Sequence, residues 1–198
     1  MLIKSADFKT SAPSLALCPA SGMREFAFIG RSNVGKSSLL NMLTGRKALA
    51  KVSATPGHTQ LINFFTINDA WTLVDLPGYG YAKMPKSARR GFIEMVTDYL
   101  EKRPNIACVF VLVDSRLEPQ EIDLEFIEWL VSCDVPLALV FTKADKLKDQ
   151  HIERNMADFL TKLKDWVEGE PDIFITSSED KTGRTELLNF IQKTLAEE

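Results

Sequence analysis

The sequence predicts an α/β protein: a six-stranded, mostly parallel sheet with one antiparallel strand and helices on both faces. Three observations carry the prediction. Short apolar runs of β-type residues alternate along the chain with longer amphipathic stretches. The runs are continuously apolar, as strands covered on both faces of a parallel sheet must be. Finally, runs 61–67 and 71–76 are separated by Asn68-Asp69-Ala70 alone, too short for a crossover, so those two form an antiparallel hairpin.

Residues 1–22 carry Pro13, Pro19 and Gly22 and read as a loose lead-in, with residues 23–198 as a single domain. Strands are expected at 24–29, 61–67, 71–76, 106–113, 135–141 and 171–176. Helices are expected at 36–46, 86–102, 119–133, 150–168 and 184–196. Pro85 and Pro119 stand where helices start. Ile122, Phe126, Leu130 and Cys133 fall on one face of the third helix, the stripe by which it would pack. Trp71, Trp129 and Trp166 lie within these patterns and are expected in or against the core. With 198 residues, 45% of them hydrophobic, the chain is long enough to bury about 70% of its unfolded surface around one core.

Composition excludes several classes. Cys18, Cys108 and Cys133 form no CxxC pair, which argues against a disulfide framework or a zinc site and fits a reducing, cytoplasmic setting. The apolar run from Ile106 to Val113, where Cys108 would be buried, is far short of the ~20 residues of a membrane span. Lys4, Asp7 and Lys9 interrupt any secretory apolar region. A net charge of −3 excludes a generally basic nucleic-acid coat.

Gly30-Arg31-Ser32-Asn33-Val34-Gly35-Lys36-Ser37 matches G-x-x-x-x-G-K-[ST], the phosphate-binding loop, between a β-type run and a helical one. Its glycines let backbone N–H groups face phosphates, Lys36 brings a point charge, the Ser37 hydroxyl can ligate Mg²⁺, and the helix that follows aims its positive N-terminus at the anion. Asp75-Leu76-Pro77-Gly78 ends a strand: a carboxylate there can hold Mg²⁺ through water, and the glycine N–H can reach a γ-phosphate. In Thr142-Lys143-Ala144-Asp145, again after an apolar strand, the aspartate can accept two hydrogen bonds from the N1–H and N2–H₂ of guanine, a donor pair that adenine lacks. The Lys143 stem can cover a face of the base. Ser177-Ser178-Glu179 follows the last strand, where a backbone N–H can bond the guanine O6. In the connection Thr55-Pro56-Gly57-His58-Thr59-Gln60, before Leu61, Thr55 and Thr59 both qualify to close over a γ-phosphate and Mg²⁺. All five loops fall at one end of the predicted sheet, where open α/β folds bind ligands.

The ordered set GRSNVGKS, TPGHT, DLPGYG, TKAD and TSSE resembles the translation-factor type of P-loop GTPase. More narrowly, TPGHTQLINFF followed by LVDLPGYGYA resembles the EngB (YihA/YsxC) family of bacterial GTPases, from about residue 22 to the end. The resemblance implies a Ras-like fold, binding of GTP and GDP with Mg²⁺, slow GTP hydrolysis, a role in assembling the large ribosomal subunit, and a need for the protein in cell division and septation. Carried over by position, Gly30 to Ser38 would hold the phosphates, and Ser37, Thr59 and Asp75 the metal. Thr59 matches the switch threonine better than Thr55; Gly57, His58, Gln60 and Leu61 would line the nucleotide beside it. Asp75, Leu76, Pro77 and Gly78 would sense the γ-phosphate; Thr142, Lys143, Ala144 and Asp145 would read the base, with Ser177, Ser178 and Glu179 closing over it. Ser178 stands where the commoner GTPase pattern has alanine, a change that a backbone contact tolerates.

Lys36, Thr59, Gly78 and Asn33 are the candidate catalytic residues. Tyr79 follows Gly78, where many GTPases carry a water-orienting glutamine. Whether Tyr79 serves the site or packs as a surface aromatic, it offers no amide, so intrinsic hydrolysis is expected to be slow and helped by a partner or an ion. Asn33 is the candidate K⁺ ligand by likeness to related GTPases; the cation would supply the charge that an arginine finger brings elsewhere. His58 reads as a solvated loop residue, and His151 is assigned nothing. A small-molecule phosphotransferase, or a GTP/GDP-binding module without significant turnover, are the alternatives; Asp145 argues against the first.

The net charge conceals a division. Phe26 to Ile93 holds nine basic residues against Asp69 and Asp75, whereas residues 94–198 hold 12 basic and 23 acidic residues. Arg46, Lys47 and Lys51 flank the first switch, and Lys83, Lys86, Arg89 and Arg90 follow the second. That run is the candidate docking face for rRNA of a large-subunit precursor, with the chain itself a monomer.

Overall fold

The computed structural model describes residues 1–49, 61–79, 86–167, 169 and 171–197, apart from the side chains of residues 86–90 and 92. These build the strands β1 (Ala6–Ala12), β2 (Glu25–Gly30), β3 (Ile62–Ile67), β4 (Trp71–Asp75), β5 (Ile106–Asp114), β6 (Leu137–Thr142) and β7 (Asp172–Ile175). The helices are α1 (Lys36–Thr44), α2 (Lys86–Lys102), α3 (Glu121–Ser132), α4 (Asp149–Leu163) and α5 (Arg184–Ala196). The strands form one sheet in the order β1-β3-β4-β2-β5-β6-β7. Strands β4, β2, β5, β6 and β7 are mutually parallel, while β3 is antiparallel to both of its neighbours.

All six expected strands and all five expected helices are present, and β3 is the single reversed strand. The count of six is corrected to seven, because the stretch expected to be a loose lead-in contributes β1. Its sequence, ADFKTSA, hides the strand: only the end residues Ala6 and Ala12 are buried. What makes it a strand is a partner. The register runs from Ala6 opposite Ile67 to Ala12 opposite Ile62, with an irregularity between Phe8 and Thr10 that blunts this open edge at Lys9. Asn68, in the β3–β4 turn, fastens the chain before β1: its Oδ1 accepts from the amides of Lys4 (2.6 Å) and Ser5 (3.1 Å), and its Nδ2 donates to the Leu2 carbonyl (2.8 Å). The turn itself puts Asn68 and Asp69 at φ of 52° and 53°, a conformation these two residue types tolerate.

The sheet separates two apolar cores. Leu39, Leu40 and Leu43 of α1 and Leu187, Leu188 and Ile191 of α5 cover one face. Tyr99 and Leu100 of α2, Ile127 and Leu130 of α3, and Phe159 and Leu163 of α4 cover the other. Trp71 is fully buried, and Trp129 and Trp166 are half-buried against the second core. At the amino end of β2, the buried carboxylate of Glu25 accepts hydrogen bonds from the Tyr99 hydroxyl (2.7 Å) and from Arg103 Nη2 (2.6 Å) and Nε (3.1 Å). No described helix is long and apolar enough to cross a membrane.

The stripe of α3 is also corrected. Its buried residues are Asp123, Leu124, Ile127 and Leu130, one position along from the expected face, and Ile122, Phe126 and Cys133 are only half-buried. The shift puts a carboxylate in the apolar layer. Asp123 is 2% exposed, and its Oδ1 has no hydrogen-bond partner among the described residues. Burial pushes this carboxyl up to about 6, against the opposing pull of the Tyr79 hydroxyl and the Arg31 guanidinium.

Two predictions follow from buried charge. Arg103→Ala strands the Glu25 carboxylate and is expected to cost about 3–5 kcal/mol in urea unfolding, without changing the nucleotide affinity of the folded protein. Asp123 acts in the opposite sense. Its folded carboxyl holds its proton more tightly than the unfolded one, near 3.9, so its stabilising contribution is complete below pH of about 4 and is lost as pH rises through about 6. Asp123→Asn is therefore expected to be more stable than the native protein by up to about 3 kcal/mol at pH 7.5, with the gain gone by about pH 4. Equal stabilities at pH 7.5 would remove this account of Asp123.

Candidate nucleotide site

The carboxyl ends of β2, β4, β6 and β7 bring four of the predicted motifs to one edge of the sheet. Gly30 ends β2, and the chain then turns through Asn33 (φ 64°) and Gly35 (φ 106°) into α1. Gly35 is the N-cap of α1 and no side chain caps it, so the first amides of the helix, from Lys36 to Ser38, are free of intrahelical partners and directed at the loop. A Cβ at residue 35 would be strained by that φ, which fixes glycine there. The concave run of N–H groups suits a phosphate chain. Asn33 has a backbone reason for its type, since asparagine enters left-handed φ more readily than most residues.

The Lys36 ammonium pairs with the Asp75 carboxylate at the end of β4. Asp75 is buried and also receives the Asn63 amide of β3 at 3.5 Å, while Asn63 Oδ1 accepts from the Ser11 hydroxyl of β1 at 2.6 Å. The unforeseen first strand thus braces a carboxylate of the site through one intermediate. Ser37, half-buried on the first turn of α1, adds a hydroxyl. A hydroxyl and a carboxylate are the hard oxygen donors that suit Mg²⁺. Leu76, Pro77 and Gly78 are all buried. Gly78 lies so close to the loop that a Cβ there would sit 2.6 Å from the Gly30 carbonyl oxygen.

Tyr79 is half-buried, its ring packed against the apolar layer rather than lying as a surface aromatic. Its amide donates to the Gly30 carbonyl (3.2 Å) and its carbonyl accepts from the Ser32 amide (3.4 Å), a parallel bridge between the two phosphate-facing segments. Its ring stacks on Phe126 of α3, with centroids 4.5 Å apart and an interplanar angle of 29°. Its hydroxyl is buried beside Asp123, whose nearby carboxyl adds to burial in raising the pKa of the Tyr79 hydroxyl, though the pair makes no well-formed hydrogen bond.

The loops expected to read a base are bolted to the expected phosphate loop. The Thr142 hydroxyl donates to the Val34 carbonyl (2.6 Å), and Lys143, at φ 62°, sends its ammonium to the Asn33 carbonyl (2.6 Å) and to Asp114 Oδ2 (2.8 Å). Burial raises the Asp114 carboxyl, but hydrogen bonds from Arg116 and Lys143 outweigh it and hold the group below the usual carboxylate range. The Ala144 amide donates to the Thr176 carbonyl (3.1 Å), joining this loop to the next. Asp145 is oriented by the Ser177 hydroxyl, which donates to its Oδ1 at 2.9 Å, and Oδ2 pairs with Lys146 at 2.6 Å. The Lys146 ammonium, with Ser177, holds the Asp145 carboxyl below its ordinary value. Ser177 is buried and in turn accepts from the amides of Glu179 and Asp180, at 3.3 and 3.4 Å, so the loop containing Ser178 is wound around its hydroxyl. The residue Asp145 is exposed as a whole, while its side chain, held by Ser177 and Lys146, is 15% exposed.

The remaining predicted residues are less informative. Gly57, His58, Thr59, Gln60, Lys51 and Lys83 lie outside the described residues, as do the side chains of Lys86, Arg89 and Arg90. Leu61 is 38% exposed directly before β3. Arg46 and Lys47 are exposed past the end of α1, with Arg46 bonded to the Lys4 carbonyl at 3.3 Å. His151 is exposed. Asp114 was missed by sequence reasoning, although a carboxylate closing an apolar strand beside two motif-bearing strands was a usable signal. Ser11 and Asn63 gave none, because their roles depend on strand register.

Comparison with known proteins gives the family to which the chain belongs. A family described as 50S ribosome-binding GTPase matches residues 25–143. "Probable GTP-binding protein EngB" of Bacteroides fragilis is 54% identical over 192 residues, which cover 97% of this chain and 96% of that protein. The protein of the same name from Christiangramia forsetii is 52% identical over 193 residues, covering 97% of each. Among solved structures, a probable GTP-binding protein engB has a TM-score of 0.68 at 26% identity, covering 88% of this chain and all of the other. Aquifex aeolicus Era bound to GDP and aluminium fluoride has a TM-score of 0.69 at 23% identity, covering 86% of this chain and 56% of that one, a likeness of fold. With the family match across more than half of its length and relatives above 50% identity across nearly all of it, the chain belongs to the EngB family of P-loop GTPases.

Proposed function

We propose that this protein is a slow GTPase switch that acts in the cytoplasm on a precursor of the large ribosomal subunit, and through that assembly step supports cell division and septation. The observation that carries the nucleotide reading is the position of Asp145: a guanine-competent carboxylate oriented by Ser177, on a loop fastened to the phosphate loop through Thr142 and Lys143. The description of its family as ribosome-binding supports the partner.

In this reading the amides from Gly30 to Ser38 and the Lys36 ammonium hold the phosphates, so Lys36 must exchange Asp75 for the nucleotide. Asp145, with Thr142, Lys143 and Ala144 behind it, selects guanine once the base displaces Lys146 from Oδ2. Ser177, Ser178 and Glu179 close over the base. Ser37, Asp75 and Thr59 would hold Mg²⁺, which when bound neutralises charge on the β- and γ-phosphates. Gly78 offers its N–H to the γ-phosphate, and Gly57 to Leu61 supply the first switch around Thr59. Tyr79 has no amide to orient water, so turnover is slow until a partner or a monovalent cation assists.

Two experiments test this. Large ribosomal subunits are expected to speed single-turnover GTP hydrolysis and to bind more tightly with GTP than with GDP. Lys86→Glu, Arg89→Glu and Arg90→Glu together should weaken subunit binding and lower its log–log salt slope by about two to three while sparing GTP binding. Unchanged subunit binding in the triple variant would refute the basic face as the docking site. The second concerns Asn33. Because Asn33 sits at φ 64°, Asn33→Gly keeps the backbone while removing the amide. If that amide holds K⁺, hydrolysis by the native protein should be faster in K⁺ than in Na⁺, and the glycine variant should respond equally to both. A K⁺ response that survives in the variant rejects Asn33 as the ligand.

A further inference from the structure

The second phosphate-sensing segment is held by α3 as well as by the phosphate loop. Beyond the bridge to Gly30 and Ser32, the Tyr79 ring lies on Phe126, which packs in turn on Trp129 with centroids 5.7 Å apart. The Arg31 guanidinium, on the other side of the bridge, donates to Gln120 Oε1 at the start of α3 (3.2 Å). Beneath the ring, the Tyr79 hydroxyl and Asp123 Oδ1 are both buried and adjoin, close enough for the hydroxyl to favour the ionised carboxyl, but neither makes a well-formed hydrogen bond among the described residues. Two adjoining, poorly satisfied polar atoms in a buried pocket cost stability, and such departures from local satisfaction are expected at functional sites.

We propose that Phe126 and Asp123 form a dock for Tyr79 which opposes the GTP-bound arrangement, and that both are positioning residues that set the preference between GTP and GDP. The physical argument runs through Gly78. In the docked arrangement its backbone is pressed against the Gly30 carbonyl, and the Ser32 amide of the phosphate loop is spent on the Tyr79 carbonyl. A γ-phosphate that draws the Gly78 N–H toward itself pulls on the residue next to it, so the bridge and the ring stack resist GTP but not GDP. A ligand shifts such an equilibrium only by its differential affinity for the two states, and the dock supplies the opposing term. The unfulfilled hydroxyl–carboxyl contact keeps the dock weak enough to open. This inference rests on the chain binding and hydrolysing GTP.

The test is the ratio of GTP to GDP affinity, with single-turnover hydrolysis measured alongside. Phe126→Ala removes the stacking partner and is expected to raise the ratio by roughly three- to tenfold, the value of one aromatic pair. Phe126→Tyr keeps a ring and should restore the native ratio. Asp123→Asn gives the pocket a donor for the Tyr79 oxygen; it should tighten the dock and lower the ratio, a change of opposite sign that loosened packing alone cannot produce. If Phe126→Ala does not fold, Tyr79→Ala breaks the same contact from the loop side and should give the same increase. Where both fold, the double variant should show no more than either single one. Unaltered ratios in Tyr79→Ala and Asp123→Asn, or shifts of the same sign, overturn the dock. A native protein that binds ATP as well as GTP would instead overturn the guanine reading on which the dock rests.

Discussion

The closeness of backbone to backbone at the carboxyl end of β2 is the constraint on which the rest of the site depends. A Cβ at Gly30 would lie 2.8 Å from the Leu112 carbonyl oxygen of β5, and one at Gly78 would lie 2.6 Å from that of Gly30. Three parallel strands therefore deliver their chains to the ligand edge with no side chain between them. Only in that geometry can the phosphate loop turn away at Arg31 while the segment after β4 runs beside it and bridges to it through Tyr79. Two apolar layers, one on each face of the sheet, hold the strands in that approach, and buried aromatics such as Phe28 on Phe110, with centroids 4.8 Å apart, fix the spacing from one side.

Around this backbone frame, the polar groups of the site satisfy one another. Lys36 pairs with Asp75, Lys143 with Asp114 and the Asn33 carbonyl, and Asp145 with Ser177 and Lys146. Each pair keeps a charge that a nucleotide would use from standing unpaired in a partly dry cleft, where it would be costly. A nucleotide bound as proposed would therefore exchange partners with these groups rather than meet unpaired charges. Among the exceptions in the described residues are the Tyr79 hydroxyl and the Asp123 carboxyl, buried at the seam between the segment after β4 and α3, and the Ser115 hydroxyl beside Asp114. Elsewhere the chain does satisfy buried charge, as Glu25 with Arg103 and Tyr99 shows at the opposite end of the same strand.

The extra strand changes the view of the amino-terminal residues. They complete the sheet beyond the reversed strand β3, and Asn68 and Arg46 clamp the chain before them. Through Ser11 and Asn63, that edge reaches Asp75. The exposed Arg46 and Lys47 consequently stand on a braced part of the molecule.

Much of this was legible in the sequence, because local rules are strong where backbone geometry is demanding. The glycine-rich loop between a strand and a helix, the turn after β4, and the carboxylate and serine after β6 and β7 are all tied to strand ends that periodicity locates within one or two residues. Periodicity cannot say what lies opposite. An edge strand with two buried alanines carries no apolar run, so β1 exists only because β3 offers its hydrogen bonds. A helix with apolar residues on several sides can rotate by one position, so only packing against the sheet decides that α3 buries Asp123 and leaves Phe126 to meet Tyr79. The sequence by itself determined the α/β class, the family motifs and the strand ends on which they sit. The tertiary structure alone decided which charges those motifs pair with and where Tyr79 rests, since such contacts join residues far apart in the chain and follow from register and helix rotation.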